Sequence, residues 1–367
     1  AWLGIGSPGL CGFTGVANVL AGEASPTGRF VDTYATNSLS SPAMRNFGDF
    51  RYTNESEIAA YCSQNGGGTS YSAYVVEAEG IYIGYKYYET RYQDQVLGIN
   101  NAANSAGAFV NTQSWDYAAE ITYPFGYGLS YAEFSQTLDE LVWDQTAHTV
   151  TATVTVTNVN AENAGYTDPV KSVVQLYVQL PYEKGQAQKS AIQLIGFAKT
   201  DALAPGESDT VTITVDDYLF ATYDENAVNG ADQTKKGCYV FDAGKYCFAI
   251  GDNCHDALNN VMASNGYSGM FDQEGNVVAG DPEKVVAVEA EYDNNTYAKS
   301  RETGAVVSNS VEDVNLNYFQ PGTVEYMTRD DWTTYPKSYD NIAATQEMMV
   351  QLNGHTYTKP ADAPAVD

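Results

Sequence analysis

The sequence predicts a mixed fold of α/β plus all-β type: part of an α/β-sandwich layer over residues 1–135, a β-sandwich over 138–262, and an extended C-terminal arm over 263–367. Three observations carry that division. A glycine-stopped helical stretch near the start gives way to aromatic-rich loops; runs of alternating apolar and polar residues then follow at short spacing; and periodicity fades beyond about residue 263. A chain of 367 residues exceeds one ordinary domain, so at least two cores are expected.

In "GVANVLAG", 15–22, Val16, Val19 and Leu20 sit at helical spacing and Gly22 stops the run, while "SPTGR", 25–29, is turn chemistry. Residues 38–78 are rich in Ser, Asn and Gly, with "NGGGTSYS" at 65–72, and read as a surface insertion. In "TVTATVTVTNV", 149–159, Val150, Ala152, Val154 and Val156 alternate with threonines, as a strand with one buried and one wet face requires. The pattern recurs in "SVVQLYVQL" (172–180), "AIQLIGFAKT" (191–200) and "DTVTITVDD" (209–217). "CYVFDAGKYCFAIG", 238–251, reads as a hairpin turning at Asp242-Ala243-Gly244. Strands at this spacing, joined by turns such as "LAPGES" (203–208), predict an immunoglobulin or fibronectin III type of sandwich. Beyond it, one strand is expected near Val285–Val288, and the proline-rich ending "KPADAPAVD" reads as a linker or extended arm.

Lys and Arg number 18 against 46 Asp and Glu, a formal charge of −28 that repels phosphate backbones, so nucleic acid is not an expected partner. No apolar run reaches the length of a membrane span. The opening Ala1-Trp2-Leu3 carries no leader-like pattern and leaves the compartment open, as does the odd count of five cysteines.

Cys238, Cys247, Cys254 and His255 fall close together but in neither Cys-x2-Cys nor His-x3-His spacing, so no metal and no cofactor is expected. A Cys238–Cys247 bridge suits neither hairpin register, whereas Cys254 with one of them stays open. His148, His255 and His355 are expected at the surface rather than as general bases. Glu77, Glu79 and Glu89 could face a sugar, but abundant carboxylates make each a weak candidate for catalysis. "EGIYIGYKYYETRY", 79–92, reads as a turn-rich aromatic packing core in which Gly80 and Gly84 allow close approach and Tyr82, Tyr85, Tyr87 and Tyr88 supply bulk; the alternative is a direct sugar platform. "YPFGYGLSYAEF", 123–134, behaves likewise: Pro124 holds Tyr123 extended, and Gly126 and Gly128 permit tight backbone before a new strand.

At these residues the chain resembles glycoside hydrolase family 3, the β-glucosidase and β-xylosidase family. "EGIYIGYKYYE" (79–89) and "PFGYGLSYAEF" (124–134) are similar to the family's "EGIYxGYRYYE" and "PFGYGLSYTxF". Residues 6–34 look like its "GxPGxxGGxAxAxVLxGxxNPSGRLPxT", and "VVQLYV", "LIGFAKTDALAPGES" and "AGKYCFAIG" look like its fibronectin III-like domain. The resemblance implies retaining hydrolysis of terminal β-linked sugars in oligosaccharides or glycosides. It also implies a barrel-borne Asp nucleophile in a Ser-Asp-Trp-like motif and an acid/base ahead of Gly6. Neither motif is found, so no catalytic residue is assigned and the chain is expected to be a piece of the enzyme that is inactive alone. "NLNYFQPGTVEYMTRDDWTTYP", 315–336, resembles the connector of a rearranged bacterial subgroup, which implies a (β/α)8 barrel after Asp367 as the partner of this piece; the alternative is an ordinary C-terminal extension. The alternative reading is a non-catalytic carbohydrate-binding or cell-surface module.

Overall fold

The computed structural model of the protein describes residues 3–7, 9, 12–66, 72–161 and 165–353. Contacts divide the chain into two units. The first comprises the described parts of Ala1–Ser41, Ile81–Asn309 and Arg329–Thr333; the second comprises those of Pro42–Gly80, Ser310–Thr328 and Thr334–Asp367.

The chain enters through helix α1 (Phe13–Ala21), which Gly22 ends in the left-handed conformation, φ +77°, as the sequence predicts. Short elements follow: β1 (Tyr34–Ala35), β2 (Phe50–Arg51), α2 (Glu55–Gln64), β3 (Ala73–Tyr74), α3 (Tyr85–Leu97), α4 (Tyr117–Glu120) and β4 (Ile121–Tyr123). The long strands are β5 (Phe134–Asp144), β6 (Thr149–Asn158), β7 (Val173–Gln179), β8 (Gln193–Lys199) and β9 (Ser208–Asp216). After β10 (Thr222–Val228), β11 (Lys236–Val240) and β12 (Gly244–Gly251) come α5 (Cys254–Ser264), β13 (Val285–Ala290), α6 (Leu316–Phe319) and α7 (Gln346–Gln351).

In the first unit, sheets ordered β5-β6-β9 and β13-β12-β7-β8 supply facing side chains to one core. Val150, Ala152, Val154 and Val156 on β6 are fully buried with Leu176 and Val178 of β7 and Phe248 and Ile250 of β12. The other face of β6 is a threonine ladder: Thr151 lies opposite Thr214, Thr155 opposite Thr210 and Thr157 opposite Ser208, with hydroxyls 3.2, 3.2 and 2.7 Å apart. Trp143 closes one end of the core, its ring edge-on to Phe220 and Phe241 and its indole N–H donated to the Asp217 carboxylate at 3.0 Å.

The expected hairpin at 242–244 does not form. β11 pairs with β10, Cys238 opposite Asp224, while β12 pairs with β7 on one edge and β13 on the other. Residues 241–243 therefore carry the chain between sheets, and Phe241 bridges to Asp293 instead. The reason is burial: six consecutive residues of β12 are buried, which marks a central strand with both edges taken, leaving none for β11.

The second unit has its own core of Tyr52, Ile58, Tyr74, Val324, Tyr339, Ile342 and Met348. Its parts are tied by reciprocal bonds between the Asn54 carboxamide and the Ala344 backbone, and by the Tyr74 hydroxyl donating to the Tyr339 carbonyl at 2.6 Å. The four described cysteines, Cys62, Cys238, Cys247 and Cys254, are buried and free, so the bridge from Cys254 to Cys238 or Cys247 is absent. Among the described residues no helix is long and apolar enough to cross a membrane.

Candidate functional site

The tyrosine-rich stretch forms a helix where a turn-rich core is expected. Gly84, at φ +54°, takes a conformation that side chains rarely adopt and releases the chain into α3; Gly98, at φ +67°, caps its end. Residues 87–94 are all buried, so α3 is enclosed on every side. Such a helix must satisfy its own charges, because an unpaired buried ion costs several kcal/mol or more. α3 does so at three centres, all within the first unit.

Glu89 is the first. One carboxylate oxygen accepts from the Tyr117 hydroxyl at 2.6 Å, and the other lies 2.8 Å from Nδ1 of His255 on α5. Nε2 of His255 is 2.7 Å from the Phe271 carbonyl, which can only accept. The ring therefore donates at Nε2, and a second proton at Nδ1 completes the contact to Glu89. Burial pushes the His255 pKa down, but the Glu89 charge and the hydrogen bonds outweigh it and hold the value above its ordinary one. Tyr117 stacks on the imidazole with centroids 4.4 Å apart and planes 10° off parallel.

Arg91 is the second, and its partners are main-chain carbonyls. Its guanidinium donates to Ala102, Ala106 and Asn104 oxygens at 2.9, 2.7 and 3.1 Å and to the Tyr87 hydroxyl at 2.8 Å, and it lies 4.7 Å over the Trp115 ring. The loop at 102–106 is thus moulded around one side chain. At the third centre, Asp94 accepts from Arg329 at 2.6 Å through one oxygen and from the Trp332 indole and Asn100 at 2.8 and 3.0 Å through the other.

The tyrosine hydroxyls that could meet a sugar are engaged internally. Tyr82 donates to Gln188 at 2.7 Å, Tyr88 bonds Ser40 at 2.9 Å, and Tyr85 accepts from the Leu194 amide at 3.1 Å. Burial pushes the Tyr85 hydroxyl up to about 12. The second glycine motif is also architectural: a Cβ on Gly126 would stand 2.3 Å from Gln175 Oε1, and one on Gly128 would stand 2.4 Å from the Gly28 carbonyl. Phe30 and the backbone at 126–127 exchange two hydrogen bonds of 2.8 Å, tying "SPTGRF" to "PFGYGLSY".

Glu89 is thus locked in a buried pair. In the second unit Glu77 is exposed, whereas Glu79 is buried, with Oε2 unbonded and its pKa raised by burial first and by Glu77 after that. His255, expected at the surface, is fully buried because α5 packs on the sandwich and α3 supplies its counter-charge. His148 is half-buried against Asp217 at 3.3 Å, and His355 lies outside the described residues. No three His, Cys, Asp or Glu side chains among the described residues are grouped to hold a metal. The sequence reading missed the His255–Glu89 and Arg329–Asp94 pairs; the i, i+4 spacing of Tyr88 and Tyr92 is the one local sign of a helix there. Among the described residues, three larger open clefts mark the first unit, one of them, about 560 Å3, lying beside Arg301. A second, of about 850 Å3, is lined by Glu183, Asp224, Glu225 and Asp242 with Tyr223 and Tyr292, and a third, about 480 Å3, lies beside Arg329.

Residues 172–254 match the fibronectin type III-like domain family. The chain is 31% identical over 249 residues to a β-glucosidase of Ruminococcus albus, covering 68% of this chain and 20% of that protein. It is 30% identical over 269 residues to β-glucosidase A of Butyrivibrio fibrisolvens, covering 70% and 25%. A solved β-glucosidase from Paenibacillus barengoltzii is 29% identical, with a TM-score of 0.46 over 66% of this chain and 20% of that one. The match at 172–254 and the observed sheets define a β-sandwich of fibronectin III-like class joined to α/β elements. The chain is similar to these β-glucosidases over about two thirds of its own length, and it spans about a fifth to a quarter of the length of the curated relatives it matches.

Proposed function

We propose that the protein to which this chain belongs is a retaining, exo-acting β-glycosidase of β-glucosidase type, and that this chain supplies its scaffold and one wall of its active site. The observation that carries the reading is the 31% identity to a β-glucosidase over 249 residues. In this proposal residues 1–135 are the C-terminal part of an α/β-sandwich domain with an insertion at 38–78, residues 138–262 are the fibronectin III-like domain, and 263–367 lead to a (β/α)8 barrel. The barrel carries an Asp nucleophile, and a second carboxyl group about 5 Å from it acts first as acid and then as base. The buried pairs of α3 support a structural role for its charges, since Glu89, Arg91 and Asp94 are each held by internal partners. The test is expression of the complete reading frame with a panel of nitrophenyl glycosides. Hydrolysis of the β-glucoside, abolished by replacing one barrel Asp, is expected; a reading frame without a barrel, or a product inactive on every glycoside, overturns the proposal.

A further inference from the structure

One cleft of the first unit reverses the charge of the chain around it. Lysines and arginines are outnumbered 18 to 46 in the sequence, yet Lys184, Lys245 and Arg329 converge on the cleft of about 480 Å3, where Asp330 is the one carboxylate among the lining residues described. That volume lies within the range of roughly 300–1,000 Å3 typical of small-molecule sites.

Arg329 is the anchor. Its side chain is 8% exposed, and its Nη2 is held by Asp94 and Gln93 at 2.6 and 3.0 Å, but its Nε–H has no hydrogen-bond partner. A buried guanidinium N–H left unpaired is costly, and a small shift of the Arg329 side chain towards the cleft would bring this N–H, now out of reach of solvent, onto a ligand acceptor. The Lys184 ammonium donates to the Asp330 carbonyl at 2.9 Å and that of Lys245 to the Asn265 carboxamide; an ammonium carries three donors, so both keep capacity for a ligand.

The kind of anion follows from the helices. Leu97 ends α3 and Asn265 caps the end of α5, and both line the cleft. Helix C-termini present partial negative charge, which opposes a phosphate dianion more strongly than a singly charged carboxylate. The Tyr267 ring, 47% exposed, offers a flat face at the rim. We propose that this cleft binds a sugar acid of one or two rings, its single carboxylate on the Lys184, Lys245 and Arg329 side and its ring against Tyr267. The proposal does not rest on the glycosidase reading, since it requires no bond to be cleaved.

The experiment is calorimetric titration of the whole chain with glucuronate, glucose and inorganic phosphate at low salt. Glucuronate is expected to saturate, with glucose and phosphate each about tenfold weaker or more, and the affinity is expected to fall on raising salt to about 0.3 M. Lys245→Ala and Tyr267→Ala change exposed side chains, and each is expected to weaken glucuronate binding severalfold with the thermal melt unchanged. No saturation by glucuronate, equal binding of glucose, phosphate binding as tight as glucuronate, or no effect of Lys245→Ala each overturns the proposal. In those cases the lysines serve only to offset the two helix ends.

Discussion

Replacing Glu89 by Gln separates charge from shape at the centre of the first unit. In the wild type, His255 donates at both nitrogens, to Glu89 at 2.8 Å and to the Phe271 carbonyl at 2.7 Å. Around it stand the rings of Tyr92 and Tyr117, Cys254 and Asp256 on its own helix, and the Asp272 carboxylate. Its folded pKa is raised, although burial pulls the other way, because the Glu89 charge and the hydrogen bonds prevail. A group whose folded pKa exceeds the unfolded value of about 6.5 gives stability that is fully present below pH 6.5 and lost as pH rises through the folded value. In Glu89→Gln the burial remains and the counter-charge is gone, so the folded pKa drops below the unfolded one. The neutral ring can then accept from the Gln amide, and the sign reverses: this variant loses stability as pH falls below about 6.5. Breaking a buried pair costs about 3–5 kcal/mol, which at the acidic end lowers the melting temperature by on the order of 10 °C. Burial pushes Asp256 up to about 6 against the pull of the His255 charge, and Glu89 raises it too, so the substitution moves both groups and the imidazole shifts assign the His255 share of the melting difference. Thermal melts at pH 6 and pH 9 are the assay, with imidazole proton shifts of the three histidines as the direct readout. A melting gap as wide at pH 9 as at pH 6, or a wild-type His255 titrating below 6.5, refutes the reasoning.

Three further outcomes follow from the packing. Arg91→Lys removes the fork that holds three carbonyls of the 102–106 loop and is expected to cost about 2–4 kcal/mol, read as a lower urea midpoint and faster proteolytic cleavage within that loop. Gly126→Ala forces a side chain onto a backbone at φ +82° and 2.3 Å from Gln175 Oε1; a loss of about 2 kcal/mol or more in thermal melting is expected, and an unchanged melt would show that the loop relaxes freely. Trp332→Phe leaves one Asp94 oxygen without its indole donor and is expected to cost about 1–3 kcal/mol in urea denaturation.

The sandwich strands were legible because strand periodicity is local. The alternation in 149–159 places Val150 to Val156 on one face, and β6 buries those residues. Helix α3 was not legible for the opposite reason: with residues 87–94 buried all round, it has no solvent-facing side, and its buried charges break up any apolar stripe of 3.6-residue period. The packing of its tyrosines was readable from glycines and rings, but the partners of its charges were not. His255 lies 166 positions from Glu89, and Arg329 lies 235 from Asp94, distances over which no periodicity speaks. The exchange of partners at 241–243 was hidden likewise, since two neighbouring strands read as a hairpin unless the sheet edges are known. Of the three glutamates near the opening motif, only the fold distinguishes exposed Glu77 from buried Glu79 and from Glu89 in its pair with His255.

The central claim is that the charges of this chain hold its architecture while the reacting carboxyl groups come from polypeptide beyond it. Purified chain of residues 1–367, incubated with 4-nitrophenyl β-glucoside beside the complete protein, puts that claim to the most direct test. The account predicts no release of nitrophenol above the buffer blank from the chain and turnover from the complete protein. Sustained turnover by the chain alone would contradict it.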